Sequence, residues 1–200
     1  PFDTSAALAA HQLQGLKWTV AHAYQNAPFY RQRLDAAGIK PEAIQSLADI
    51  EKLPFTQADD LRAEYPFPLL SVPLSQVVRI HASSGTTGKK KVLCYSQRDI
   101  DDWTHIFARC YEMAGLTTED RVQIVVGYGI WTAGAGFQLG CEKFGAMALP
   151  VGPGNIDMQC QFLVDIQSTA MCCTASMGLL MAEEVNSRNV KDKIALKKMT

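Results

Sequence analysis

Apolar positions change their period near residue 75, which divides the chain into a helical start and an alternating series of strands and helices. From Ser5 to about Gln25, Leu13, Leu16, Val20 and Tyr24 recur at three and four, the stripe of an amphipathic helix. Asn26-Ala27-Pro28 interrupts it. A second helix is predicted from Pro28 to Ala37, because proline suits a first turn and Gly38 suits the position past a helix end. Two short helices follow, one near Ser46 to Lys52. The other begins after Thr56, whose hydroxyl is expected to cap the turn carrying Gln57, Asp59 and Asp60. Residues 66–75, with Pro66, Pro68 and Pro73, read as an extended linker.

Beyond the linker, Val77 to His81 and Lys91 to Tyr95 read as strands on either side of a glycine-rich loop. Ser96 with Asp99 opens a long helix to about Ala114, closed by Gly115. Asp99, Asp101 and Asp102 crowd its first turn, where the helix dipole favours negative charge, so they read as helix-start residues rather than metal ligands. Strand and helix then alternate: Val122–Val126, Ala133–Phe144, Ala146–Val151, Ile156–Ser168, Ala170–Thr174 and Ser176–Asn186. These strands are short apolar runs without alternation, as expected of parallel strands covered on both faces. The fold class is therefore α/β: an N-terminal helical region over 1–75, then a doubly wound, mainly parallel sheet over 76–200. In such sheets ligands bind beyond the carboxyl ends of the strands, which here carry Gly127 to Thr132, Gly152 to Asn155 and Thr174 to Ser176.

Composition removes several classes of function. Of 200 residues 48% are apolar, enough for a sizeable core, and the formal charge of −1 argues against nucleic acid as partner. No window approaches the ~18 apolar residues of a membrane span, and the first twenty residues lack a signal-peptide pattern, so a cytoplasmic protein is expected. The six cysteines, at 94, 110, 141, 160, 172 and 173, show no metal-site or disulfide spacing. Adjacent Cys172 and Cys173 are expected to point to opposite faces of a strand. The chain starts at Pro1 and stops at Lys197-Lys198-Met199-Thr200 without a closing element, which suggests a piece of something longer.

The chemistry concentrates in Ser83-Ser84-Gly85-Thr86-Thr87-Gly88-Lys89-Lys90-Lys91. Glycines let the backbone approach an anion, hydroxyls and N–H groups donate to it, and lysines compensate its charge. The spacing excludes G-x-x-x-x-G-K-[ST] and G-x-G-x-x-G, so this is neither a Walker loop nor a dinucleotide fingerprint. His81, just before the loop, reads as a strand-end histidine, with orientation of the loop as its alternative role.

A hydroxyl-rich S-S-G-T-T-G-K turn between two strands resembles the nucleotide loop of the adenylate-forming superfamily of acyl- and aryl-CoA ligases. Asn26-Ala27-Pro28-Phe29-Tyr30, Leu53-Pro54-Phe55-Thr56, Asp60-Leu61-Arg62 with Tyr65-Pro66, Gly127-Tyr128-Gly129 and the Gly152-x-Gly154-Asn155 turn are similar to its phenylacetate-CoA ligase branch. The resemblance covers nearly the whole chain. It implies the first part of a longer enzyme that uses ATP with Mg2+, and coenzyme A as co-substrate, to activate a small aromatic carboxylic acid. Ser83, Ser84, Gly85, Thr86, Thr87, Gly88 and Lys89 or Lys91 would hold the ATP phosphates. Tyr128, Trp131, Ala133, Gly134 and Ala135 would form the aryl pocket, although core packing would also account for Tyr128 and Trp131. Trp131 stands where phenylalanine is common and Ala133 where glycine is common. Thr174-Ala175-Ser176 carries a weaker pocket role. The ribose-binding aspartate, the magnesium-binding glutamate and the catalytic lysine would lie past Thr200, so the present residues include no catalytic or metal-binding group. Alternatives are a relative that adenylates another carboxylate and a non-catalytic nucleotide-binding domain. Faces left uncovered without the rest would favour self-association, as a homodimer or a larger assembly.

Overall fold

In the computed structural model, which describes residues 4–63, 65–67, 69–83 and 90–200, the side chain of Thr4 caps the first helix by accepting the Ala7 amide at 3.2 Å. That helix, α1 (Ser5–Asn26), is followed directly by α2 (Pro28–Ala36). Gly38, at φ 68°, ends α2, and the Ile39 amide returns to the Leu34 carbonyl at 2.9 Å. Val20, Leu34 and Ile44 are buried together, with Leu16, Tyr24, Ile39 and Leu53 packed around them, so the predicted stripe of α1 does face a core. The contacts divide the chain into two compact units, Pro1–Cys94 and Tyr95–Thr200.

The short helices of the first unit are tighter than the pattern suggests. Leu47–Lys52 forms a 3-10 helix, with the Asp49 carboxylate accepting the Ser46 amide at 2.7 Å and Lys52 at 2.6 Å. The next helix, α3 (Asp60–Ala63), is not capped by Thr56. Thr56 instead shares a hydrogen bond with the Tyr30 hydroxyl at 3.1 Å, and the Asp60 carboxylate takes the Gln57 amide at 2.6 Å. Asp60 also pairs with Arg33. A 3-10 turn at Leu74–Gln76 leads into β1 (Val77–Ala82), which forms a two-stranded sheet with β2 (Val92–Ser96).

Ser96 and Asp99 make the reciprocal cap expected of them: the Asp99 carboxylate accepts the Ser96 amide at 2.7 Å and the Ser96 hydroxyl accepts the Asp99 amide at 3.3 Å. They start α4 (Gln97–Met113). There follow β3 (Arg121–Ile124), α5 (Thr132–Phe144), β4 (Met147–Leu149), α6 (Ile156–Asp165), β5 (Ala170–Cys172), α7 (Ala175–Ser187) and β6 (Lys198–Met199). The sheet order is β4-β3-β5-β6 and every neighbouring pair is parallel. One core, with Tyr111, Val122, Ile124, Cys141 and Cys172, is separate from a second with Val125, Leu163, Met171, Met181 and Val185. In β5, Ala170 and Cys172 belong to the first and Met171 to the second, as successive strand residues on opposite faces of a sheet should. Cys172 joins the first core and Cys173 packs on the second, the opposed placement expected of adjacent strand residues. The doubly wound α/β architecture is thus observed. No helix among the described residues is long and apolar enough to cross a membrane.

The C-terminal Lys198–Met199, where the sequence shows no strand pattern, is a strand, β6, in register with Ala170 and Met171 of β5. Helix α6 stops at Asp165 rather than Ser168, because Gln167 takes φ 58° and its side chain donates to the Val164 and Lys193 carbonyls at 2.6 and 2.7 Å.

Candidate functional site

The phosphate-loop residues Ser84, Gly85, Thr86, Thr87, Gly88 and Lys89 lie outside the described residues. Both ends of the loop are described. The Ser83 amide donates to the Lys91 carbonyl at 3.0 Å, and the Lys91 amide donates to the Ser83 hydroxyl at 3.3 Å. This pair holds Ser83 and Lys91 side by side just beyond the β1/β2 sheet. The Ser83 hydroxyl acts as acceptor in that pair and keeps its own hydrogen to donate. Lys90 is exposed and Lys91 partly buried. His81 is buried at the end of β1, and its pKa is held below the ordinary value by burial and then by the charge of Arg79, so it is neutral near pH 7.

In the second unit, the residues assigned to an aryl pocket gather beyond the end of β3. The Gly134 amide donates to the Gly127 carbonyl at 3.1 Å, which docks the first turn of α5 onto the chain leaving the strand. The Tyr128 ring lies against that turn. A Cβ built on Gly134 would stand 2.6 Å from the Gly127 oxygen and 2.9 Å from the Tyr128 ring, so only glycine permits this approach. The ring is also 3.7 Å from a Cβ built on Gly152, which places it between α5 and the turn after β4. The Tyr128 hydroxyl is shielded from solvent and meets no hydrogen-bonding partner among the described residues. Burial, then the nearby Glu142, Cys172 and Cys141, push its pKa up to about 12, so it remains a phenol. Trp131 is half exposed, with its indole over Gly127. Ala133 packs on the first core and Ala135 is partly buried. Tyr128 and Gly134 thus form a packed wall, whereas Trp131 stands at its solvent edge. An indole with small residues beside it can receive a flat apolar group.

Turns at the ends of β4 and β5 flank this cluster. Gly152 and Gly154 take φ 74° and 83°, and Asn155, at φ 44°, caps α6 by accepting the Met158 amide at 3.2 Å. Thr174 caps α7 by accepting the Met177 amide at 3.3 Å, and its hydroxyl lies 3.2 Å from that of Ser176.

A buried polar group adjoining the Gly152–Asn155 turn escaped the sequence reading. Gln123, Gln159 and Ser168 are fully buried. The Ser168 hydroxyl donates to the Gln123 amide oxygen at 2.9 Å, the Gln123 amide nitrogen donates to the side-chain oxygen of Gln159, and the Gln159 nitrogen donates to the carbonyls of Gly152 and Gly154 at 2.7 and 3.3 Å. The available signal was a glutamine inside the apolar run Val122–Val126, a position where a polar side chain needs partners. No cluster of three or more His, Cys, Asp or Glu suited to a metal ion occurs among the described residues.

No protein-family model matches the chain. It is 44% identical over 187 residues to the phenylacetate-coenzyme A ligase of Escherichia coli, an alignment covering 92% of this chain and 43% of that protein. It is 40% identical over 192 residues to the phenylacetate-coenzyme A ligase of Pseudomonas putida, covering 95% and 44% respectively. Among solved structures, a 2-hydroxyisobutyryl-CoA ligase in complex with 2-HIB-AMP and CoA superposes with a TM-score of 0.91 at 27% identity, over 98% of this chain and 43% of that one. The chain therefore spans less than half the length of the relatives it matches. Along nearly all its length the chain is thus similar in sequence to part of the phenylacetate-coenzyme A ligases, and in fold to part of an acyl-CoA ligase.

Proposed function

We propose that the chain is the amino-terminal part of an AMP-forming aryl-acid–CoA ligase. The observation that carries this reading is the 44% identity to a phenylacetate-coenzyme A ligase. In the proposed reaction the carboxylate oxygen of an arylacetate attacks the α-phosphorus of ATP, giving an acyl-adenylate and pyrophosphate. Coenzyme A thiolate then attacks the acyl carbon and AMP leaves. The residues between Ser83 and Lys91 would hold the β- and γ-phosphates, with Ser84, Thr86, Thr87 and the glycine amides donating and Lys89 or Lys91 balancing the charge of departing pyrophosphate. Tyr128, Trp131, Ala133, Gly134 and Ala135 would receive the ring of the acid.

The test uses the longer reading frame that contains these residues. Expressed whole, it is expected to catalyse ATP–pyrophosphate exchange that depends on an arylacetate, whereas the 200-residue chain alone should show none. The likeness to a 2-hydroxyisobutyryl-CoA ligase makes a hydroxyalkanoate the second acid class for the panel. Exchange with hydroxyalkanoates only would reassign the substrate, and exchange with no acid would remove the reading.

Exposed apolar side chains support the further reading that the 200-residue chain self-associates. Met113, Leu179 and Met199 in the second unit, and Val78, Ile80 and Leu93 on the β1/β2 sheet, are exposed. Sedimentation velocity is expected to show a weight-average mass that rises with concentration; a single 21.9 kDa species across the range would refute it.

A further inference from the structure

We propose that Gln159, braced by Gln123 and Ser168, is a positioning residue that fixes the Gly152–Asn155 turn against Tyr128 and so sets the acid selectivity of the site. The inference rests on the aryl-pocket reading above. The turn has an unusual backbone: Gly152, Gly154 and Asn155 all take left-handed conformations within four residues, which glycine adopts freely and which is costly only at Asn155. Its hold on the sheet comes from two places. The Gly152 amide donates to the Ile124 carbonyl at 2.9 Å, and the Gln159 side chain gathers the Gly152 and Gly154 carbonyls.

The relay has a single consistent direction. Each amide oxygen accepts and each amide nitrogen donates, from Ser168 through Gln123 to Gln159, whose two N–H groups are both spent on the turn. Gln123 also donates to the Gln159 backbone carbonyl at 3.2 Å, which ties α6 to the centre of the sheet. A buried network of this kind fixes one geometry when every member is satisfied, and it releases that geometry when one member is lost. Gly152 brings the turn beside the Tyr128 ring: a Cβ built there would stand 3.7 Å from ring atom Cδ2, which a Cβ on Gly134 would meet at 2.9 Å. Loss of the relay therefore loosens the turn beside Tyr128 and leaves the approach of α5 to the ring in place.

Two measurements test this. In the 200-residue chain, amide hydrogen exchange over residues 151–158 should accelerate at least tenfold in Gln159→Met, while exchange in β3 changes less than threefold. Ser168→Ala, which removes only the far donor, should give a smaller acceleration over the same residues and serves if Gln159→Met does not fold. Unchanged exchange over 151–158 in the folded variants overturns the proposal. In the longer protein, Gln159→Met should raise KM for the acid and narrow the kcat/KM ratio between phenylacetate and a bulkier arylacetate about tenfold, with KM for ATP within twofold of the parent. An unchanged ratio alongside accelerated exchange overturns the selectivity role. Absence of any arylacetate activity in the parent defeats the ligase reading instead, and with it the selectivity role, and the exchange result still decides whether the relay holds the turn.

Discussion

Replacing Gly140 by alanine is expected to lower the stability of the second unit by about 2 kcal/mol, although alanine is the better helix former. Helices α4 and α5 approach each other across Gly136 and Gly140, one turn apart. A Cβ at Gly140 would stand 2.4 Å from the Phe107 Cβ, 3.0 Å from the Phe107 carbonyl carbon and 3.2 Å from the Ala108 nitrogen. Two of those atoms are α4 backbone, so no rotamer change relieves the clash and the helices must separate. Separation loosens the edge-on ring contacts of Phe107 with Trp103 and Phe137, at 5.1 and 5.4 Å. Overpacking of this kind costs up to about 3 kcal/mol, and the helix propensity of alanine returns about 1 kcal/mol. At Gly136 the added carbon meets only the ring atoms of Phe107 and Trp103, which can turn, so Gly136→Ala should cost less. Gly15 in α1 is the control: it is exposed and a Cβ there meets nothing within 4 Å, so Gly15→Ala should gain roughly 0.5–1 kcal/mol. Urea unfolding of the three variants checks the order. A Gly140→Ala chain as stable as the parent would show that the two helices are not in this contact.

Much of this architecture is legible in the sequence because local and tertiary preferences agree. The Ser96/Asp99 cap, the glycine stops after α2 and α4, and the apolar strand runs each specify their element without help from distant residues. The failures occur where a distant partner decides. Lys198 and Met199 carry no strand pattern; they are strand because the Lys197 amide reaches the Thr169 carbonyl and the Thr200 amide reaches the Met171 carbonyl. Ile166 continues the apolar period of α6, but Gln167 turns the chain and anchors it to the Lys193 carbonyl. Thr56 looks like a cap from its neighbours, and Tyr30, twenty-six residues earlier, claims its hydroxyl. The site divides the same way. The pairing of Ser83 with Lys91 beyond β1 and β2 and the gathering of residues around Gly127 follow from motif and strand order. The packing of Tyr128 between Gly134 and Gly152, and the relay from Ser168 to the Gly152 turn, depend on groups up to forty-five residues apart.

Asp120→Ala is expected to cost about 3 kcal/mol while leaving the proposed acid site intact, because this carboxylate ties together the opposite, amino-terminal ends of three strands. Asp120 is buried just before β3. One oxygen accepts the Thr117 amide and the Lys198 ammonium, each at 2.7 Å, and the other accepts the Thr169 hydroxyl at 2.7 Å. Thr169 in turn accepts the Arg121 amide at 2.9 Å, so β3, the residue before β5, and β6 meet at one charge. Alanine removes the acceptor of the half-buried Thr169 hydroxyl and of the amide of Thr117, an exposed residue, at roughly 1–3 kcal/mol each. Lys198, whose side chain is 32% exposed, recovers water and keeps the total near the lower end of that sum. Burial by itself would push the Asp120 pKa up. The hydrogen bonds from Lys198, the Thr117 amide and the Thr169 hydroxyl outweigh it and hold the pKa well below the usual carboxylate range. A folded pKa below the unfolded one contributes stability that is complete above the unfolded value of about 3.9 and is lost as pH falls through the folded value. The stability difference between parent and Asp120→Asn should therefore be greatest near pH 6 and shrink progressively below pH 4. A difference that stays constant from pH 6 to pH 3 would mean that the hydrogen bonds, and not the charge, hold the strand ends together.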